Sequence, residues 1–166
     1  MFSSCSSDDS GDATASFVST ISIDGVAFIP ATPNNPVASP IATSFEAGVN
    51  NGESNLRIFH MLKTGTIGDI NGMESIQLSV FYPTTQTSVN GTYDFDFNME
   101  EISDPYIQGS YTQGMSMETF QDGTITVTDL GNNKFKIVFN NVVTTQSQMG
   151  ITGSIEGTFE FQSQDF

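Results

Sequence analysis

Acidic side chains are densest in the run DFDFNMEEISD, whose oxygen-bearing members are Asp94, Asp96, Asn98, Glu100, Glu101 and Asp104. Carboxylate and amide oxygens are the ligands that Ca²⁺ takes in proteins. An EF-hand loop is excluded, because Met99 stands where such a loop needs glycine and Pro105 where it needs a bidentate glutamate. Phe95 and Phe97 alternate with the acids and so predict a strand, in which alternate carboxylates lie about 6.6 Å apart. The run is therefore an acidic, solvent-facing strand that opposes aggregation, or its last three acids form a calcium site in a loop.

A second group of side chains with binding potential is aromatic and sulfur-containing: Tyr106, Tyr111, Met115 and Met117. The last three lie in the run GSYTQGMSMETF, from Gly109 to Phe120. Flexible methionines adapt to a partner, so the run predicts either a binding surface or a loop packed over one end of the domain. Tyrosines can stack on sugars, but the lack of any tryptophan disfavours a carbohydrate platform.

Catalytic signatures are missing from the sequence. It contains no Gly-x-Ser-x-Gly motif, no phosphate-cradling glycine loop and no cluster of cysteine and histidine. The single histidine, His60, lies in a strand-like run near Arg57, which indicates a structural histidine more than a zinc ligand or general base. Pairs of carboxylates leave hydrolysis of glycosidic bonds open as an alternative chemistry.

The charge balance limits the partners. The chain has 166 residues with 19 acidic and 4 basic side chains, giving a formal net charge of -15. Binding to nucleic acid or to anionic lipid requires lysine and arginine, so neither is an expected direct partner. Divalent cations remain compatible with this charge. No run approaches the roughly 18 apolar residues of a transmembrane helix.

Hydrophobic residues recur with a period of two, which predicts an all-β fold. Turn signals at Asp24-Gly25, Asn90-Gly91 and Gly131–Asn133 separate the runs. The final run, from Ile151 to Phe161, alternates most cleanly and is expected to be a central strand. We predict an antiparallel β-sandwich of about eight to ten strands, with a flattened, lipocalin-like barrel as the alternative. Residues 1–16 are serine- and aspartate-rich and predict a disordered tether, which leaves 17–166 as one domain.

The only cysteine, Cys5, precedes that tether. A catalytic thiol needs a positioned base, which a flexible segment cannot provide. A stray exposed thiol is one interpretation. Lipid attachment explains more, because small residues precede the modified cysteine of bacterial lipoproteins and Ser3 and Ser4 stand in those places.

The start of the chain, CSSDDSGD, resembles the mature N-terminus of Bacteroidetes-type lipoproteins. The later runs ISIDGVAF, NGTYDF, DGTITVTDL and ITGSIEGTFEFQ are similar to those of a family of small β-rich lipoproteins of unknown function from the same group. The resemblance implies a multiply acylated Cys5, export by the acids behind it, and Ser6 favouring the outer membrane.

The sequence therefore predicts a non-enzymatic lipoprotein of the outer membrane or cell surface, tethered through Cys5 and needing no cofactor. Its partners would be the membrane and an unknown envelope protein or glycan. A calcium-dependent binding or adhesion module and a carboxylate-based envelope hydrolase are the alternatives. If Met1 is the true start, no lipid is attached and the protein is cytoplasmic.

Residues 1–14 offer no apolar periodicity that could pack on the domain. Deleting them should leave the melting temperature unchanged within error, as measured by circular dichroism of the truncated and full chains. A clear drop would show that this segment docks on the domain.

Overall fold

The computed structural model describes residues 17–30, 41–63, 74–95, 105–146 and 151–162. Nearly all of them belong to strands: β1 (Phe17–Ser19), β2 (Ser22–Ile23), β3 (Val26–Ala27), β4 (Ile41–Gly48), β5 (Ser54–Lys63), β6 (Glu74–Pro83), β7 (Gly91–Phe95), β8 (Tyr106–Gln113), β9 (Ser116–Gly131), β10 (Lys134–Gln146) and β11 (Ile151–Gln162). A four-residue helical turn, α1 (Val49–Gly52), joins β4 to β5. Within these ranges, no helix has the length and apolarity to cross a bilayer.

The strands form one sheet in the order β3-β2-β11-β10-β9-β7-β8-β6-β5-β4, and β1 also pairs with β11. The pairings are antiparallel except for the short parallel contact between β7 and β8. The first part of β9 pairs with β8 and its later part pairs with β7, so this 16-residue strand spans both. The all-β antiparallel class is confirmed, and β11 is an interior strand as the sequence predicted.

Tight turns form where the sequence places residues that tolerate a positive φ. Asp24 and Gly25 have φ of 50° and 76° between β2 and β3, and Asn132 and Asn133 have φ of 52° and 57° between β9 and β10. Both positive angles match the twist of the flanking strands, as in type I′ hairpins. The prediction of these two hairpins is confirmed.

A third tight turn makes a strand hairpin of the run Gly109–Phe120, for which the sequence suggested a loop over one end. Gly114, at φ 59°, lets the chain reverse in two residues, so Gln113 pairs directly with Ser116. The backbone groups on both sides of the turn are then satisfied by the ladder between β8 and β9.

Contacts between aromatic rings show that the sheet curls over on itself. Phe59 on β5 makes edge-on contacts with Phe135 on β10, at 5.2 Å between ring centroids, and with Phe161 on β11, at 6.1 Å. Four strands separate β5 from β10 in the sheet order, so these contacts cross the interior. The result is an open, half-barrel sheet whose geometry suits either the predicted sandwich or the flattened barrel.

Arg57 also crosses this interior. Its guanidinium carbon lies 5.2 Å from the ring centroid of Phe45 on β4 and 5.4 Å from that of Phe135 on β10. A cation over an aromatic face contributes about 0.5–2 kcal/mol, depending on how far it is removed from water. The buried Nε of Arg57 has no hydrogen-bond partner among the described residues. Arg57 therefore links the edge strand β4 to the opposite wall.

Glycines permit the bends that the curl requires. Gly157 has φ 116°, and a Cβ there would lie 2.3 Å from the carbonyl oxygen of Thr20. Gly123, with φ 93°, packs in the same way against the backbone of Asn141, where the pairing of β9 and β10 shifts register. Such bulges bend a strand and increase its twist.

Phe159 is fully buried on β11 and stacks on Phe161 with centroids 4.9 Å apart. Phe159→Ala should lower the free energy of unfolding by about 3–5 kcal/mol, through lost transfer energy and the cavity left behind. Urea denaturation measures the change. Glu160→Gln, on the opposite face, is the control and should shift the midpoint little; equal small shifts would contradict the inward orientation of Phe159.

Candidate functional site

The interior opens at one end into a cleft of about 210 Å³. The hairpin of β2 and β3 forms one side, and the ends of β5, β6, β8 and β9 form the other. Mouths of curled β-sheets are preferred places for ligands. The lining combines apolar and charged side chains: Ile23, Asp24, Val26, Ala27, Phe28, Lys63, Glu74, Tyr111, Gln113 and Glu118.

Glu74 is the most densely bonded side chain of the cleft. Its Oε1 accepts hydrogen bonds from the Tyr111 hydroxyl at 3.0 Å and from Gln113 Nε2 at 2.9 Å. Its Oε2 forms an ion pair with Lys63. Lys63 ends β5 and Glu74 begins β6, and they face each other in register, so the pairing of these strands brings the two charges together.

Burial and bonding shift the pKa values in opposite directions here. Burial acts to raise the pKa of Glu74. The hydrogen bonds from Lys63, Tyr111 and Gln113, together with the positive charge of Lys63, outweigh burial and hold the pKa of Glu74 below its ordinary value. Burial, and then the Glu74 carboxylate, raise the pKa of Tyr111. Tyr111 therefore stays protonated and donates its hydrogen bond at all ordinary pH values.

Two further carboxylates line the cleft near β11: that of Glu118, which is partly buried on β9, and that of Asp24, which is exposed in the turn between β2 and β3. Glu118 Oε2 accepts a short hydrogen bond from the hydroxyl of Thr144, which is fully buried. Asp24 Oδ1 accepts a hydrogen bond of 2.7 Å from the backbone N–H of Ser154. Each carboxylate is thus held by a donor from the neighbouring strand of the sheet.

Gly153 sets the distance between these carboxylates. A Cβ at Gly153 would lie 2.7 Å from Thr144 Oγ1, 3.1 Å from Glu118 Oε2 and 3.2 Å from Asp24 Oδ1. The two carboxylate oxygens, at 3.1 and 3.2 Å from one point, are therefore at most 6.3 Å apart. Any larger residue at this position would displace the hydroxyl that orients Glu118.

The residues predicted as a binding surface do not come together. Tyr111 is buried in the cleft, whereas Tyr106 lies on the outer face and stacks on Phe81 with centroids 4.5 Å apart. Met115 is exposed at the turn after β8, and Met117 is exposed beside Thr112 on the face opposite to Tyr111. Only Tyr111 among the four lines the cleft.

Most of the predicted calcium ligands fall outside the described residues. Asp94 is exposed on β7, beside the inward-facing Tyr93; Asp96, Asn98, Glu100, Glu101 and Asp104, like Cys5, lie outside the described ranges. In the part of the chain that is described, no group of three or more His, Cys, Asp or Glu side chains is arranged to hold a metal ion. The calcium site therefore stays a prediction.

His60 is half-buried on the outer face of β5, opposite Gln77. Burial lowers its pKa, because a charged imidazolium is poorly solvated there. A shallow depression lies on the outer face nearby, and its lining is uncharged: Gln77, Ser79, Gln108, Gly109, Ser110 and Thr119. Its residues lack the fixed charges that distinguish the cleft.

Asp24, Lys63, Glu74 and Glu118 were not foreseen as one group. Asp24 carried only a turn signal, and Glu118 lay within the run expected to be a loop. A usable signal was the period of two in that run, which places Glu118 and Tyr111 at paired inward positions once the hairpin is recognised. Comparison of the chain with protein-family models, curated proteins and solved structures gave no match.

The lowered pKa of Glu74 gives its pairing a pH signature. A carboxyl whose folded-state pKa lies below its ordinary value of 4.5 contributes stability above that pH, and the contribution is lost as the pH falls through the folded-state pKa. Wild type should therefore be more stable than Glu74→Gln at neutral pH, and the difference should shrink between about pH 5 and pH 3.

Urea denaturation at each pH measures this difference. Glu46→Gln, on the exposed edge strand β4, is the control for the loss of one acidic group. A stability difference between wild type and Glu74→Gln that stays constant over the acid range would show that the ion pair contributes nothing.

Proposed function

We propose that this protein is a non-enzymatic binding domain of the bacterial cell envelope, anchored in the outer membrane or at the cell surface through lipid on Cys5. The observation that carries the binding role is the cleft, in which Thr144, Tyr111 and the backbone of Ser154 hold carboxylates in fixed positions. Preorganised polar groups beside an apolar wall are typical of ligand sites. The ligand is small, or is one side chain of a larger partner.

The anchor follows from Cys5, the only cysteine, and from the serines and acids around it. Buried acyl chains contribute about 0.8 kcal/mol per CH₂, and two chains suffice for stable attachment. Lipid on Cys5 would therefore hold a domain of net charge -15 at a membrane that its own surface does not attract. The resemblance to Bacteroidetes-type lipoproteins supports the same assignment.

A calcium-dependent binding or adhesion module is the second candidate. It is favoured by the density of oxygen ligands between Asp94 and Asp104. It differs from the first candidate in requiring Ca²⁺ for ligand binding, a requirement that a calcium titration tests directly.

Lipid attachment can be tested in the native host with an alkyne-tagged fatty acid. The gene, with its own upstream sequence, should yield a labelled protein in the membrane fraction. Cys5→Ser should abolish the label and release the protein from the membrane, because no other thiol can take the lipid.

Ser7→Ala is the matched control and should stay labelled, since it changes a neighbouring serine and leaves the thiol. An unlabelled wild-type protein, or label that persists in Cys5→Ser, would exclude the anchor.

A further inference from the structure

We propose that the cleft binds an alkylammonium ion, a primary ammonium group on an apolar stem, with its charge between Glu118 and Asp24. This inference rests on the proposed function, in which the cleft is the ligand site. It adds the chemical class of the ligand and the two side chains that recognise its charge.

Charges in the cleft are unbalanced. Its lining holds three carboxylates, of Asp24, Glu74 and Glu118, and one ammonium, of Lys63. Lys63 pairs with Glu74, whose oxygens already accept two further hydrogen bonds. The carboxylates of Asp24 and Glu118 are therefore left without a positive partner in the cleft.

The remaining basic residues cannot supply that partner. Lys136 lies two residues beyond Lys134 on β10 and is aligned with Glu160 in the β10–β11 ladder. Lys134 pairs with Glu160 at 2.6 Å, and Arg57 lies over the ring of Phe135. Both contacts are at the start of β10, whereas Thr144, which bonds Glu118, lies ten residues further along that strand. At about 3.3 Å per residue, the basic end and the cleft are up to about 33 Å apart along the strand.

The unmatched carboxylates are close enough to share one ligand. Glu118 Oε2 and Asp24 Oδ1 lie at most 6.3 Å apart around Gly153, as their distances of 3.1 and 3.2 Å to its Cβ position require. Their other oxygens, Glu118 Oε1 and Asp24 Oδ2, accept no hydrogen bond from the described residues. An ammonium group carries three N–H donors and can bond to both carboxylates at once.

The wall beside the carboxylates selects an organic cation over a metal ion. Ile23 and Phe28 are buried there, and Val26 is 68% exposed at the rim. Ca²⁺ takes six to eight oxygen ligands, more than two carboxylates beside an apolar wall provide. An alkyl stem, in contrast, gains by leaving water for this wall.

The size of the cleft fits one such group. Its volume is about 210 Å³, well above the roughly 10–15 Å³ that a single water needs on this measure. This space suits a chain of a few methylene groups with a terminal ammonium. Such a group occurs in free diamines and in the lysine side chain of a partner protein.

Calorimetric titration of the full chain at low ionic strength, with n-pentylamine as the probe, tests the inference. We expect saturable one-to-one binding, which Glu118→Gln and Asp24→Asn each weaken by about tenfold or more. Both substitutions keep the folded contacts, because a glutamine still accepts from Thr144 and an asparagine tolerates φ 50° at position 24. Their urea midpoints verify that they fold.

Glu156→Gln is the matched control, since it removes the same charge from an exposed position on β11. It should change the dissociation constant by less than about twofold. Equal weakening by Glu156→Gln would show mere attraction to an acidic chain and overturn the site. Equal binding of n-pentanol would overturn the role of charge.

Two further probes identify the source of the cation. Blocked lysine, acetylated at Nα and amidated at its carboxyl end, should match or exceed 1,5-diaminopentane if the partner is a protein chain; the reverse order indicates a free diamine. Ca²⁺ binding that depends on Glu118, without binding of any amine, would overturn the inference and favour a calcium module.

Absence of amine binding would not by itself exclude the cleft as the ligand site. A neutral ligand, such as methyl glucoside, that binds in a Glu118-dependent way would leave the cleft as the ligand site and exclude only the alkylammonium class. Loss of the lipid label concerns Cys5 alone and is independent of the titration.

Discussion

Aromatic packing across the interior of the curled sheet is the interaction on which the rest of this structure depends. An apolar sheet face must be covered by another layer. In the described ranges the only helical element is α1, of four residues, so the sheet itself supplies that layer. Phe59 meets Phe135 and Phe161 from the opposite wall. Each buried phenylalanine contributes about 1.5–3 kcal/mol by leaving water.

This self-covering constrains the backbone. Strands β9, β10 and β11 have 16, 13 and 12 residues, too long to follow a curled sheet without bends. The bends lie at Gly123 and Gly157, where the positive φ and the nearby carbonyl groups exclude a side chain. The curl of the sheet therefore depends on glycine at these two positions.

The cleft is a consequence of the same curl. Asp24 comes from the turn between β2 and β3, Glu118 from β9 and Gly153 from β11. Curling brings these residues to one cleft, whereas Lys134 and Arg57 make their contacts near the start of β10. Local charge in this protein is thus set by topology, and the total charge of -15 gives no indication of it.

The fold class and several local features followed from the residues alone. The period of two assigned β11, and the Asp24-Gly25 and Asn132–Asn133 turns followed from residues that tolerate positive φ. The hairpin at Gly114 was missed, because its turn residues are Gly114 and Met115 and not the Asn-Gly or Asp-Gly pair that marks a two-residue hairpin. Of the cleft, only Tyr111 was singled out, and for a different surface.

By itself the sequence determined the all-β class, the tight turns at Asp24-Gly25 and Asn132–Asn133, and the apolar face of β11. These are properties of neighbouring residues, set by φ preferences and side-chain alternation. Only the tertiary structure decided that Phe59 meets Phe135, and that Asp24 and Glu118 face each other across Gly153. Those pairs lie tens of residues apart in the chain, and their contact depends on the order of strands and the depth of the curl, which no local pattern encodes.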